Sequence, residues 1–360
     1  MPLLTKRLLL TRWTALLLPI SPVLFFLLSC LSTAAQEAPR LREADRVRLA
    51  EAFRLGKNLG HKVWKGWSVP FAVLLVTPDY EFLVRHPSPT PEFKSLGYDQ
   101  LLKSDVLWRK RLFAPNLLAT FPAVNGVSTI VVGQPENTAA KDSTRWVITV
   151  LHEHFHQWQE SQPGYFDDVA RLGLVGDDTS GMWMLNYPFP YDDVAMNRWF
   201  PEIAKHLTEA VHGRKPKEHS APLFEAAFIT AFKQGRDQSG DYKYLSFQLW
   251  KEGVARYTEL RMAELAAREF RPGPAFQSLP DFVPFSKEAE RIREGIFEEL
   301  RTYRLSEARR AVFYPLGAAM AMLLDRIEKG WKKKYLAEKF RLYEYLRTTI
   351  VATVDYRDRR

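Results

Sequence analysis

The segment Trp146-Val-Ile-Thr-Val-Leu-His152-Glu153-His154-Phe155-His156-Gln157-Trp158 constrains this chain more than any other. Val147, Val150, Leu151, Phe155 and Trp158 recur at spacings of three and four, which predicts a helix packed against a core. Asp142 or Ser143 is placed to cap its start, and Pro163-Gly164 to stop it. On such a helix His152 and His156 stand one above the other on one face and can offer ring nitrogens to a single metal ion. Glu153 lies about 100° round the helix, badly placed as a third ligand but able to lean over a water beside that metal. Two neutral imidazoles on Zn²⁺, an open position for water and a carboxylate to take its proton are what metal-assisted hydrolysis needs. His154 points elsewhere and reads as structural.

The flanking sequence predicts an α+β order. A helix is expected over residues 42–59, with Gly56 and Gly60 near its end. Strands follow over 71–76 and 80–84, separated by Thr77-Pro78-Asp79, then a Pro-rich loop over 86–91. Residues 117–124 and 128–132 read as a hairpin joined at Asn125-Gly126. After the histidine helix the patterns are helical, over 244–270, 287–305, 314–327 and 331–346. Residues 163–244 are an insert of loop signals followed by a helix over 201–211. Its Trp183, Tyr187, Tyr191 and Trp199 are expected to pack. The reading is one domain over 36–360, β-rich from 36 to 140 and helical from 141.

A catalytic zinc takes a third protein ligand, and the best placed is Glu252 in Trp250-Lys251-Glu252-Gly253-Val254-Ala255-Arg256-Tyr257-Thr258-Glu259. The small Gly253 and Ala255 allow another helix to approach. Glu259 returns to nearly the same face seven residues on, where it can orient a ligand from behind. His206, Glu209 and His212 on a helix of the insert, with Glu202, His219 and Glu225 near them, remain alternative donors.

The stretches His152-Glu-His-Phe-His156-Gln-Trp158 and Glu252-Gly-Val-Ala-Arg-Tyr-Thr-Glu259 together resemble the gluzincin metallopeptidases, the thermolysin and aminopeptidase N group, and look most like the aminopeptidase N branch. The resemblance implies a gluzincin-like catalytic domain in which His152, His156 and Glu252 bind zinc and Glu153 is the general base. Phe313-Tyr314-Pro315-Leu316-Gly317 is similar to that branch's Tyr-x-Lys-Gly segment, which makes Tyr314 a candidate to stabilise the oxyanion. Departures from the branch are a spacing of 95 residues between His156 and Glu252, Leu316 in place of the lysine, and only a loose match of Gly133-Gln-Pro-Glu136-Asn137 to the exopeptidase motif.

Residues 1–35 resemble an export signal, with Lys6, Arg7 and Arg12, an apolar run to Leu31, then Ser32-Thr33-Ala34-Ala35. Leu27-Leu-Ser-Cys30 also resembles a lipoprotein box, and an uncleaved anchor interrupted by Pro19 and Pro22 is the third reading. Cys30 is the only cysteine, so cysteine-peptidase chemistry and disulfides are excluded downstream of it. Removing the signal leaves 48 basic against 42 acidic residues, a spread excess that fits a solvated surface rather than a nucleic-acid footprint. The expected function is an exported, periplasmic or secreted zinc hydrolase of peptide or related amide bonds, meeting membrane only through its N-terminus. The alternative is a non-catalytic binding protein, exported or lipid-anchored, on a peptidase scaffold.

Overall fold

In the computed structural model, which describes residues 39–357 apart from 177, 179, 180, 217, 218 and 234–238, the apolar run Val73–Val76 becomes the strand β1. All four of its residues are buried, as expected of a strand covered on both faces. A helix, α1 (Glu43–Val63), precedes it; β2 (Tyr80–Val84), β3 (Lys94–Asp99), β4 (Ser104–Lys110), β5 (Leu118–Val124) and β6 (Val127–Gly133) follow. They form one mixed sheet in the order β3-β4-β2-β1-β6-β5, parallel only between β1 and β6. The two-residue alternation divides the sheet's side chains. Val73, Leu75, Phe82, Val84, Ile130 and Val132 join the main core, while Leu74, Val76, Leu83 and Val131 form a smaller cluster with Phe93 and Val124. Asn125 and Gly126 both take positive φ, the conformation that closes a tight hairpin between β5 and β6.

Among the described residues the elements after β6 are all helices: α2 (Ser143–Glu160), α3 (Tyr165–Arg171), α4 (Trp183–Asn186), α5 (Val194–His212), α6 (Ser220–Phe228), α7 (Gly240–Gln248), α8 (Val254–Glu269) and α9 (Pro274–Gln277). They are followed by α10 (Phe285–Thr302), α11 (Leu305–Ala308), α12 (Phe313–Ile327), α13 (Trp331–Ala337) and α14 (Leu342–Arg357). Asp142 caps α2 by accepting from the Arg145 N–H. α2 lies between the β5–β6 end of the sheet and α8, and α8 in turn packs on α10 and α12. The α+β order therefore holds, with a sheet ahead of a helical region.

Several boundaries differ from expectation. α1 runs to Val63, past the expected end at residue 59, so Gly56 and Gly60 both lie within it, Gly60 in its last turn. A Cβ at Gly56 would stand 2.9 Å from Phe71, and one at Gly60 would stand 3.2 Å from Trp67, so both glycines make room for aromatic rings. β3 and β4 were not legible, because β3 is an edge strand with a bulge and no buried residue. The single helix expected over 331–346 is two, broken where Phe340 takes φ +61. The insert holds α3 to α6 and the start of α7, and the helix expected from Pro201 begins seven residues earlier at Val194. The expected export signal, with Cys30, lies outside the described residues. Among those described, no helix is long and apolar enough to cross a membrane.

Candidate metal centre

His152 and His156 project from the middle of α2, both almost fully buried, with their Nε2 atoms 3.0 Å apart. Glu252 reaches them from the far side of the chain: its Oε2 is 3.3 Å from His156 Nε2 and 3.7 Å from His152 Nε2. One donor atom from each of the three residues fits within 4.8 Å, the one such cluster found among the described residues.

Glu252 gets there through a local irregularity. Between α7 and α8 the chain takes a π turn, Leu249–Gly253, whose wider coil carries an extra residue. The turn is pinned to the end of α2 by Lys251, which donates to Glu160 Oε1 at 2.8 Å and to the Tyr165 hydroxyl at 3.2 Å. On its other side Gly253 meets Gly317 of α12 backbone to backbone, since a Cβ on Gly253 would stand 2.4 Å from Gly317 Cα. The helix expected to approach at Gly253 is thus α12, which also carries Tyr314.

The outer nitrogens of both rings face oxygen acceptors. Gln159 Oε1 is 2.6 Å from His156 Nδ1, and the Gln159 amide nitrogen donates to the carbonyls of Trp250 and Lys251, which fixes the oxygen as the acceptor. Glu259 Oε1 is 2.9 Å from His152 Nδ1 but off the N–H axis, so that contact is ionic rather than an aligned hydrogen bond. Both surroundings favour the proton on Nδ1 and a lone pair on Nε2. Two lone pairs 3.0 Å apart beside a carboxylate repel one another unless a cation lies among them. The nitrogen and carboxylate donors, backed by oriented partners, are a set that can hold a divalent metal ion.

The charges point the same way. Burial alone would lower the His152 pKa, but the Glu252 and Glu259 carboxylates outweigh it and push it up to about 10. Burial would raise the Glu252 carboxyl, yet His156, His152 and Arg310 hold it well below the usual range. Glu259 is likewise raised by burial and held low by Arg256, whose Nη1 donates to Glu259 Oε2 at 2.5 Å, and by His152. A field that stabilises a proton on His152 also stabilises a metal cation.

These residues line a cavity of about 1000 Å³. Glu153 faces it beside the histidines, and its Oε2 accepts from Thr120 Oγ1 of β5 at 2.8 Å. Tyr314 stacks over His152 with ring centroids 6.3 Å apart, and Arg310 Nη1 donates to its hydroxyl oxygen at 2.8 Å. Burial, then the Glu252 charge, push the Tyr314 phenol well above its usual range. The lining also includes apolar side chains, Phe166, Val169 and Val175 from the insert and Leu118 and Phe121 from β5.

All six residues read from the sequence, His152, Glu153, His156, Glu252, Glu259 and Tyr314, thus border one space. His154 turns to the other side, flat on Phe71 at 3.7 Å with Nδ1 donating to Gln157 Oε1, and burial pushes its pKa down to about 4. The alternative donors do not join the site. Among the described residues His206 pairs with Glu202 and Glu209 of its own helix, His212 packs on Phe297 and Glu225 pairs with Arg347, while Glu136, of the loose exopeptidase motif, forms a surface pair with Arg42. The insert aromatics pack as expected, Tyr187 on Tyr244 and Trp183 on Phe247, although Trp183 also borders the cavity. Gln159, Thr120 and Arg310 were missed. Gln159 carried a signal, lying seven residues beyond His152 on the same helical face, whereas Thr120 and Arg310 meet the site only through tertiary packing. Compared with protein-family models, curated proteins and solved structures, the chain has no significant match.

Proposed function

We propose that this protein is an exported zinc hydrolase of peptide or related amide bonds, with a gluzincin-like arrangement of ligands. The observation that carries the reading is the convergence of His152, His156 and Glu252 within 4.8 Å on the wall of a cavity that also holds Glu153. His152, His156 and Glu252 would hold the ion, with Glu259 and Gln159 orienting the two rings. When bound, Zn²⁺ supplies Lewis acidity for the scissile carbonyl and for the attacking water.

The remaining chemistry falls to the chain's own side chains. Thr120 holds Glu153 Oε2, which leaves Oε1 to take the proton from the attacking water and later to pass it to the departing amine. Arg310 occupies a lone pair of the Tyr314 oxygen, so the phenol acts as a donor; its O–H, which faces the Glu252 carboxylate, would turn to the oxyanion that forms as the carbonyl becomes tetrahedral. β5 is one of the two edge strands of the sheet and borders the cavity from Leu118 to Pro122, a surface along which an extended peptide can add as a further strand. This favours a peptide over a compact amide.

The test is metal analysis of the purified protein together with cleavage of a mixed peptide library, with and without chelator. One zinc per chain and chelator-sensitive cleavage are expected. One zinc per chain without any cleavage would instead favour a binding protein on a peptidase scaffold.

A further inference from the structure

Among the described residues four lysine and arginine side chains line the cavity, and three of them are committed. Arg145 donates to Glu288 at 3.1 Å, Lys251 to Glu160 at 2.8 Å, and Arg256 to Glu259 at 2.5 Å and Glu299 at 3.2 Å. Arg310 differs. Among the described residues its one carboxylate neighbour is Glu252, a residue assigned to the metal, whose Oε1 is 3.8 Å away, beyond hydrogen-bonding distance. Among the described residues only Nη1 of its guanidinium makes a hydrogen bond, to Tyr314, although the group carries five N–H donors in a planar fork. The side chain is 27% exposed, and that opening is onto the cavity.

The backbone is built to send Arg310 inward. Arg309 takes φ 49 and ψ −126, a left-handed conformation that a residue with a Cβ rarely adopts, at the start of the 3-10 turn Arg309–Val312. This separates two successive arginines. Arg309 lies over the Tyr191 ring at 4.7 Å and near Asp192, while Arg310 turns to the cavity beside Tyr314.

We propose that Arg310 is an anion subsite that recognises a carboxylate of the substrate, next to the metal centre. The inference rests on the zinc-hydrolase reading and deepens it. A half-buried guanidinium with unengaged donors matches a carboxylate bidentately, and one beside the metal would bind either the free carboxyl terminus of a peptide or an acidic side chain close to the scissile bond. The first source makes the enzyme a carboxy-terminal exopeptidase or dipeptidase, the second an endopeptidase selective for acidic residues. The loose exopeptidase motif around Glu136 contributes nothing to the cavity, so recognition of a free amino terminus has no comparable support.

The test uses zinc-loaded full chain carrying Glu153→Gln, which binds substrate without turning it over. Three pools of N-acetylated hexapeptides are titrated: uncharged with a free carboxyl terminus, uncharged with an amidated terminus, and amidated with one Asp or Glu. The free-acid pool should bind about 10- to 100-fold tighter than the uncharged amide. Adding Arg310→Gln should abolish the difference, Arg310→Lys should keep part of it, and Arg309→Gln should leave it intact. Tight binding of the acidic amide pool that is lost with Arg310→Gln would support the subsite and assign its source to a side chain. Equal binding of all pools by zinc-loaded Glu153→Gln protein, or a preference that survives Arg310→Gln, would overturn the subsite and leave the zinc reading standing. A parent protein that retains no zinc would overturn both.

Discussion

Replacing Gly253 with alanine tests how Glu252 is held against the histidines. The new Cβ would lie 2.4 Å from Gly317 Cα, 3.0 Å from the Gly317 carbonyl carbon and 3.1 Å from the Phe313 oxygen, all backbone atoms that cannot swing aside. Carbon atoms rest at about 3.5–4.0 Å, so the π turn and α12 must separate by about 1 Å. Overpacking of this kind costs about 1–3 kcal/mol, or a fall of a few degrees in Tm. The functional effect should be larger than the loss of stability suggests. Glu252 directly precedes Gly253 on the displaced turn, while His152 and His156 stay on α2. Zinc affinity, read by competition with a chromophoric chelator, should drop about 10- to 100-fold, the range seen when the groups that orient metal ligands are lost. Gly295→Ala in α10 is the control: its Cβ would meet nothing closer than Arg256 Nη2 at 3.5 Å, and it should leave zinc binding unchanged while stabilising the helix by about 0.5–1 kcal/mol. If Gly253→Ala binds zinc as tightly as the parent and melts at the same temperature, the close helix contact is not what positions Glu252.

Other outcomes follow from the same geometry. Glu153→Gln should keep one zinc per chain and lower kcat by about 10²–10⁴-fold, measured on whichever peptide the parent cleaves. Thr120→Val should lower kcat with little change in KM or zinc content, and Thr120→Ser should restore it. A loss confined to KM would argue against a role in holding the Glu153 carboxylate. Glu259→Gln should weaken zinc binding about 10- to 100-fold, seen in the same chelator competition, because His152 loses its negative partner. His154 is held neutral by burial, with its folded pKa about 4 against an ordinary 6.5. Its contribution to stability is therefore complete above pH 6.5 and is lost as pH falls towards 4, a change of about 1–3 kcal/mol. Denaturant melts across that window should show the slope, and His154→Phe, which keeps a ring against Phe71, should flatten it.

Features fixed by local pattern were legible in the sequence. The cap at Asp142, the spacing of His152 and His156, and the Asn125-Gly126 turn each depend on neighbours within a few residues. Glu252 was reached across 95 residues as a carboxylate in a helical pattern beside the small Gly253 and Ala255, and the expected resemblance to a known ligand set pointed to the same residue. What stayed hidden depends on distant partners. Gly56 and Gly60 read as helix stops because nothing local records that Phe71 and Trp67 pack against them. β3 has no buried face to give it a period, and the break at Phe340 lies in a stretch whose apolar residues keep helical spacing. The π turn leaves the periodicity of residues 244–270 almost intact, yet it is what turns Lys251 towards Glu160 and Glu252 towards the histidines.

The central claim is that one ion sits among three side chains from two distant parts of the chain. Anomalous diffraction at the zinc edge, from crystals of protein purified without added chelator, addresses it directly. The account predicts a single strong peak within bonding distance, about 2.0–2.2 Å, of His152 Nε2, His156 Nε2 and a Glu252 carboxylate oxygen. A peak elsewhere, such as beside His206 and Glu202, or no peak in protein exposed to zinc, would contradict it.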